Sequence, residues 1–139
     1  MSRSIVLAFA LLALLVDPPR LHGVWMESLP AVRAEAPAGA LQHWRELVAC
    51  TGIRPKRGRG FSTIQWHRVD GRRFIRPDNR REVIGLWLRE GNAVILAGDW
   101  WDDERLIKHE LLHALLQSGA HETHHFAEAR GIKCGLFPG

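Results

Sequence analysis

The sequence predicts an α+β domain: a four-stranded antiparallel meander packed on one long helix, with a short helix before the sheet and another at the C-terminal end. Three observations carry that expectation. Between Phe61 and Ala97, apolar and β-branched residues alternate or form short runs. From Asp102 to Gln117 no Pro or Gly interrupts a helical pattern. Ahead of both, Leu41, Trp44, Leu47 and Val48 recur at helical spacing.

A chain of 139 residues has room for one hydrophobic core. Its first residues lie outside that core. Ile5 to Val16 is an uninterrupted run of twelve apolar residues, preceded by Arg3 and followed by Asp17-Pro18-Pro19-Arg20. A membrane span needs about 20 residues, whereas a basic residue followed by a short apolar run is the layout of an export signal. Residues 1–23 are therefore read as a signal peptide, or as a signal anchor if uncleaved, with cleavage after Gly23 or after Ala34. Residues 24–39 contain Pro30, Pro37 and Gly39 and read as a linker. The domain proper is expected over 40–139, in a secreted or periplasmic protein with no membrane contact beyond its export signal.

Each element has a local reason. The first helix ends at Cys50, where Gly52 offers a left-handed C-terminal stop. Arg54 to Gly60, with Pro55, Gly58 and Gly60, reads as a loop. Phe61, Thr63 or Ile64, Trp66 and Val69 are expected on one strand, Phe74 and Ile75 on its return, with Asp70-Gly71 as the hairpin turn. Val83 to Leu88 and Ala93 to Ala97 form a second hairpin around Arg89-Glu90-Gly91-Asn92. Asp99, Asp102, Asp103 and Glu104 then put negative charge and a potential N-cap at the start of the long helix. Glu104 and Lys108 make a favourable i,i+4 pair, and Gly119 is expected to end the helix. Trp100 and Trp101 at its entry are expected to pack or to shape a pocket.

Charge is unevenly distributed. Arg54 to Arg81 carries ten Lys or Arg against two acids, whereas Asp99 to Glu128 carries seven acids against Arg105 and Lys108. The basic stretch has no nucleic-acid-binding motif and reads as a solvated face, although such a surface could also hold an anionic polymer. The two cysteines, Cys50 and Cys134, lack C-x-x-C spacing, and in an oxidising compartment they are expected to form a disulfide.

The long helix carries Lys108-His109-Glu110-Leu111-Leu112-His113, an H-E-x-x-H pattern. At about 100° per residue, His109 and His113 share one face a turn apart, so both imidazoles can meet one metal ion. Glu110 projects beside the metal, where its carboxylate can take a proton from an activated water. A catalytic zinc takes three protein ligands and keeps one position open. His121, just beyond the Gly119 break, is the expected third ligand; His124, His125, Glu122 and Glu128 are the alternatives.

Leu106 to Leu115 resembles the extended motif of the zincin metallopeptidases, and the chain is also similar to small exported bacterial proteins with such a helix, a later Gly-x-His and a final Cys. The resemblance implies a zinc hydrolase with His109 and His113 as ligands and Glu110 as base. Departures exist: the metzincin Gly and His positions hold Leu116 and Gly119, no Met follows, and Glu128 is a poor match to the distant gluzincin Glu. The chain has no tyrosine, leaving a histidine, an arginine or the metal to stabilise a transition state. The expected function is an exported zinc-dependent metallopeptidase-like hydrolase acting on a peptide or protein, possible edge strands for that substrate being Ala93 to Ala97 and Val83 to Leu88. The alternative is a non-catalytic exported module that binds metal or an anionic polymer.

Overall fold

Ala93–Ala97 contains no polar residue, and every one of its side chains is buried. It is the last strand in a computed structural model that describes residues 29–121 together with Phe126 and Cys134. The described elements are β1 (Ala31–Ala34), α1 (Ala40–Thr51), β2 (Gln65–Val69), β3 (Phe74–Ile75), β4 (Glu82–Val83), β5 (Gly85–Leu88), β6 (Ala93–Ala97) and α2 (Glu104–Leu116). The expected signal segment lies outside the described residues. So do Glu122, His124, His125 and Glu128, and the expected C-terminal helix apart from Phe126 and Cys134.

The class is α+β, but the sheet is not the antiparallel meander that the sequence suggests. Four strands form one sheet in the order β1-β2-β6-β5. β2 runs antiparallel to β1 and parallel to β6, with Trp66 opposite Val94 and Val69 opposite Ala97. The β5–β6 hairpin pairs as expected, antiparallel, with Trp87 opposite Val94, and so do β3 and β4, with Phe74 opposite Val83. β3 and β4 form a separate two-stranded ribbon. The physical reason is edge occupancy: β1 and β6 take both edges of β2, so the chain that turns at Gly71 has no edge there to return to. β1 itself comes from the stretch expected to be linker. The strand expected from Phe61 begins only at Gln65, because Phe61–Thr63 coils into a 3₁₀ turn.

Because β6 is central, its alternating side chains feed two cores. Val94 and Leu96 join Trp44, Leu47, Leu111 and Leu112 on the helical side; Ala93, Ile95 and Ala97 join Val69, Phe74, Leu86 and Leu88 on the other. α1 buries Ala40, Trp44 and Leu47 and ends as expected, with Gly52 at φ 70° and its N–H donating to the Val48 carbonyl. α2 starts at Asp103, whose side chain accepts the Leu106 N–H at 2.9 Å. Leu111 and Leu112 are fully buried, so truncating either to Ala would cost about 2–5 kcal/mol.

Two details fix α2 against its neighbours. Lys108 is buried yet charged, its ammonium bonded to Glu104 one turn back and to Glu46 of α1 at 3.0 Å. The helix stops at Gln117 rather than at Gly119: Gln117 takes the left-handed conformation, φ 54°, and its amide donates to the Ala114 carbonyl at 2.6 Å. That side-chain bond offsets part of the roughly 1–2 kcal/mol cost of a left-handed non-glycine residue. Cys50 and Cys134 form a disulfide, Cα to Cα 5.6 Å, joining the end of α1 to the C-terminal segment. No helix among the described residues is long and apolar enough to cross a membrane.

Candidate metal centre

α2 places His109 and His113 one turn apart, and the reversal after Gln117 brings His121 back to them. The three Nε2 atoms form a near-equilateral triangle: His109 to His121 3.0 Å, His113 to His121 3.1 Å, His113 to His109 3.2 Å. His113 Nδ1 lies 2.7 Å from the Ser118 carbonyl oxygen. A carbonyl can only accept, so Nδ1 carries the proton and the neutral ring turns its Nε2 lone pair to the centre of the triangle. Burial pushes the His113 pKa down to about 4, against the favourable Ser118 bond and with help from nearby His121. The ring is therefore neutral at pH 7, as a ligand must be.

The donor set suits a metal ion. An ion about 2.0–2.1 Å from each imidazole nitrogen, in tetrahedral geometry, spaces its ligands by roughly 3.3 Å, close to the separations found. Three converging lone pairs also repel one another unless a cation or shared protons lie between them. Phe126 packs against all three rings, with centroids 5.2, 4.6 and 4.9 Å from those of His109, His113 and His121. Trp87 lies parallel to His113, 8° between planes and 6.5 Å between centroids.

Glu110 is buried beside the triad, 4% exposed. Burial pushes its pKa up to about 8; the positive charge of Arg76 and the Trp87 backbone N–H, which its carboxyl accepts, pull the other way without prevailing. Gly85 of β5 leaves the space in which the carboxyl sits. A cavity of about 580 Å³ opens in front of these groups, walled by β5, the β3–β4 ribbon and α2, with Arg73, Arg76, Arg105 and Trp100 on its lining. Arg76 is held by Asp78 through two bonds, 3.0 and 2.7 Å. Trp100 thus shapes the pocket, its indole N–H donating to the Arg72 carbonyl at 3.0 Å, while Trp101 packs under the Arg68 guanidinium.

His109, Glu110, His113 and His121 therefore meet at one place, and the Cys50–Cys134 disulfide is present. Gly85, Trp87, Asn92, Gln117 and Phe126 also build the site, and sequence reasoning did not assign them to it. Gly85 had a usable signal: a glycine inside a strand marks close approach by another group. A second group of metal-capable side chains, His43, Glu46 and Glu104, lies between the helices, but the Lys108 ammonium already bonds both of its carboxylates. Compared with family models, curated proteins and solved structures, the chain has no match, and the site is read from its own geometry.

Proposed function

We propose that the chain is an exported zinc-dependent hydrolase of peptide bonds, related in chemistry to the zincin metallopeptidases, with His109, His113 and His121 as ligands and Glu110 as general base. The observation that carries this reading is the coincidence of three converging imidazole nitrogens with a carboxyl of raised pKa on the wall of one open cavity. A zinc ion bound there supplies Lewis acidity to the substrate carbonyl and to the attacking water. Burial keeps the Glu110 carboxyl protonated at neutral pH in the metal-free chain; the charge of a bound cation would favour its ionised form, which would take the proton of that water and return it to the leaving amine. Arg76 faces the same cavity and supplies the positive charge that the absent tyrosine cannot.

The register of β5 supports it as the strand that would pair with substrate. The Ala97 N–H donates to the Ile84 carbonyl, so Ile84, Leu86 and Leu88 bond inward to β6, and the backbone groups of Gly85 and Trp87 face the outer edge. An extended peptide adding to β5 would meet Gly85 and the Trp87 carbonyl beside the triad. Ala93–Ala97, the other strand considered, is flanked on both sides and cannot serve. The disulfide suits an oxidising compartment, in keeping with export. The basic stretch 54–81 is taken as solvated surface with no specific nucleic-acid role.

One observation favours the alternative, a metal-binding module without turnover: Glu110 is almost wholly enclosed. The Glu110→Gln variant separates the two. Zinc content should survive, and cleavage of a broad peptide library should fall by about 10²-fold to 10⁴-fold, the loss typical of a missing general base. Wild-type cleavage left unchanged in Glu110→Gln refutes the mechanism.

A further inference from the structure

Beyond the three imidazoles and Glu110 lies a chain of buried amides with no part in the chemistry above. Asn92, 1% exposed, lies in the β5–β6 turn, and Gln117, 6% exposed, ends α2. Both hold left-handed backbone, φ 50° and 54°, a conformation that costs a non-glycine residue energy. The Asn92 side-chain oxygen accepts two hydrogen bonds, from Trp87 Nε1 at 3.0 Å and from Gln117 Nε2 at 3.2 Å. Its amide nitrogen donates to Thr63 Oγ1 at 3.0 Å, and that hydroxyl in turn donates to the Gly60 carbonyl at 2.7 Å.

The two donors to Asn92 lead to one ring. Trp87 is the aromatic plane lying parallel to His113. Gln117 is the residue whose turn presents the Ser118 carbonyl to His113 Nδ1, and both the Gln117 and Ser118 backbone N–H groups bond the His113 carbonyl. One oxygen atom therefore bonds both the residue against which the imidazole lies and the residue whose turn presents the acceptor of its proton.

We infer that Asn92 and Gln117 are positioning residues of the metal centre: through Trp87 and the Ser118 carbonyl they hold His113 in its Nδ1–H tautomer with Nε2 aimed at the ion. The inference rests on the metal-binding half of the proposed function and is independent of hydrolysis. An outer partner of this kind carries a roughly 10-fold to 100-fold share of metal affinity.

Glycine substitution at these sites removes the amide while accepting the left-handed backbone without strain, so Asn92→Gly and Gln117→Gly should keep the fold. The test uses the full disulfide-bonded protein. Zinc affinity is measured by competition with a chromogenic chelator, and the imidazole tautomers of the metal-free protein by long-range proton–nitrogen NMR. Wild type should show His113 as a single Nδ1–H tautomer; each glycine variant should mix tautomers and bind zinc about 10-fold to 100-fold more weakly. A lowered Tm with tautomer and affinity retained is what a merely structural amide pair would give, and it overturns the inference. If either glycine variant does not fold, Thr63→Val, an exposed change that removes only the far anchor, decides instead: a weakening of about threefold supports the inference, and wild-type affinity overturns it. Failure of wild type to bind zinc at all would sink the proposed function and this inference with it, an outcome distinct from wild-type affinity retained in the glycine variants, which overturns the inference alone.

Discussion

A methyl group on Gly85 would stand 2.6 Å from the Glu110 carboxyl oxygen and 2.8 Å from Leu106 Cδ1. β5 and α2 are therefore packed as closely as a missing side chain allows, and Glu110 occupies the space.

Gly85→Ala should consequently push Glu110 out of place while leaving the three imidazoles alone. The expected result is a loss of about 1–3 kcal/mol in unfolding free energy from overpacking, near-normal zinc affinity, and peptide cleavage reduced toward that of Glu110→Gln. Denaturant titration, metal competition and the peptide assay read the three effects separately. Full cleavage in the alanine variant would show that Glu110 does not need its present position.

The metal-free protein should lose stability as pH rises from about 6.5 to 8. Glu110 keeps its proton in the folded chain up to about 8, whereas the unfolded chain releases it near 4.5. The folded state thus holds the extra proton through this window, and raising the pH weakens it by at most about 1.4 kcal/mol per unit. His113 acts in the opposite sense, because the unfolded ring takes a proton below 6.5 and the buried ring stays neutral down to about 4. Stability from that ring is complete above 6.5 and is lost as pH falls toward 4, so the two slopes offset between about 4.5 and 6.5. Urea midpoints under chelation at pH 6.5, 7.2 and 8.0 should fall in order. In Glu110→Gln they should stay level.

How much of this was legible in the sequence depends on range. The spacing of His109, Glu110 and His113, the acidic cap before α2 and the Gly52 stop are set by residues within a turn or two, and all could be read. His121 could be proposed because a break after the helix returns the chain to it. Strand partners are chosen across the whole chain: nothing within Gln65–Val69 says that its neighbours are Ala31–Ala34 and, in parallel, Ala93–Ala97. The wholly apolar run of β6 did mark a strand covered on both faces, a sign that fits poorly with a meander bearing one wet face. The buried amides of Asn92 and Gln117 were out of reach, since each sits among ordinary turn residues, and the bonds that link Asn92 to Thr63 and to Gln117 span 29 and 25 positions.

His121→Ala should weaken zinc binding by more than the roughly 10-fold to 100-fold that an outer partner carries, because the ion loses one of three protein ligands. Competition titration of His121→Ala beside His124→Ala, His125→Ala and Glu128→Ala tests the assignment. Wild-type affinity in the first, with loss in one of the others, would move the third ligand to that residue.

Replacing Cys50 and Cys134 together by alanine should cost roughly 2–5 kcal/mol in unfolding free energy, the usual range for a native bridge closing a long loop. Denaturant curves of the oxidised wild type and the double variant give the difference. Peptide mapping without reductant should recover the Cys50–Cys134 pair from the exported fraction, and two alkylatable thiols there would contradict the bridge.

Lys108, one residue ahead of the first imidazole, gives α2 two opposite relations to positive charge. On one side of the helix, three imidazole rings converge on a centre suited to an ion from solution. On the other, His43, Glu46 and Glu104 gather as though for a second ion, but an ammonium tethered to the same helix sits on both carboxylates and cannot diffuse away. The protein thereby supplies its own counter-ion at one cluster and leaves the other to exchange with its surroundings. Zinc titration should accordingly end at one equivalent per chain.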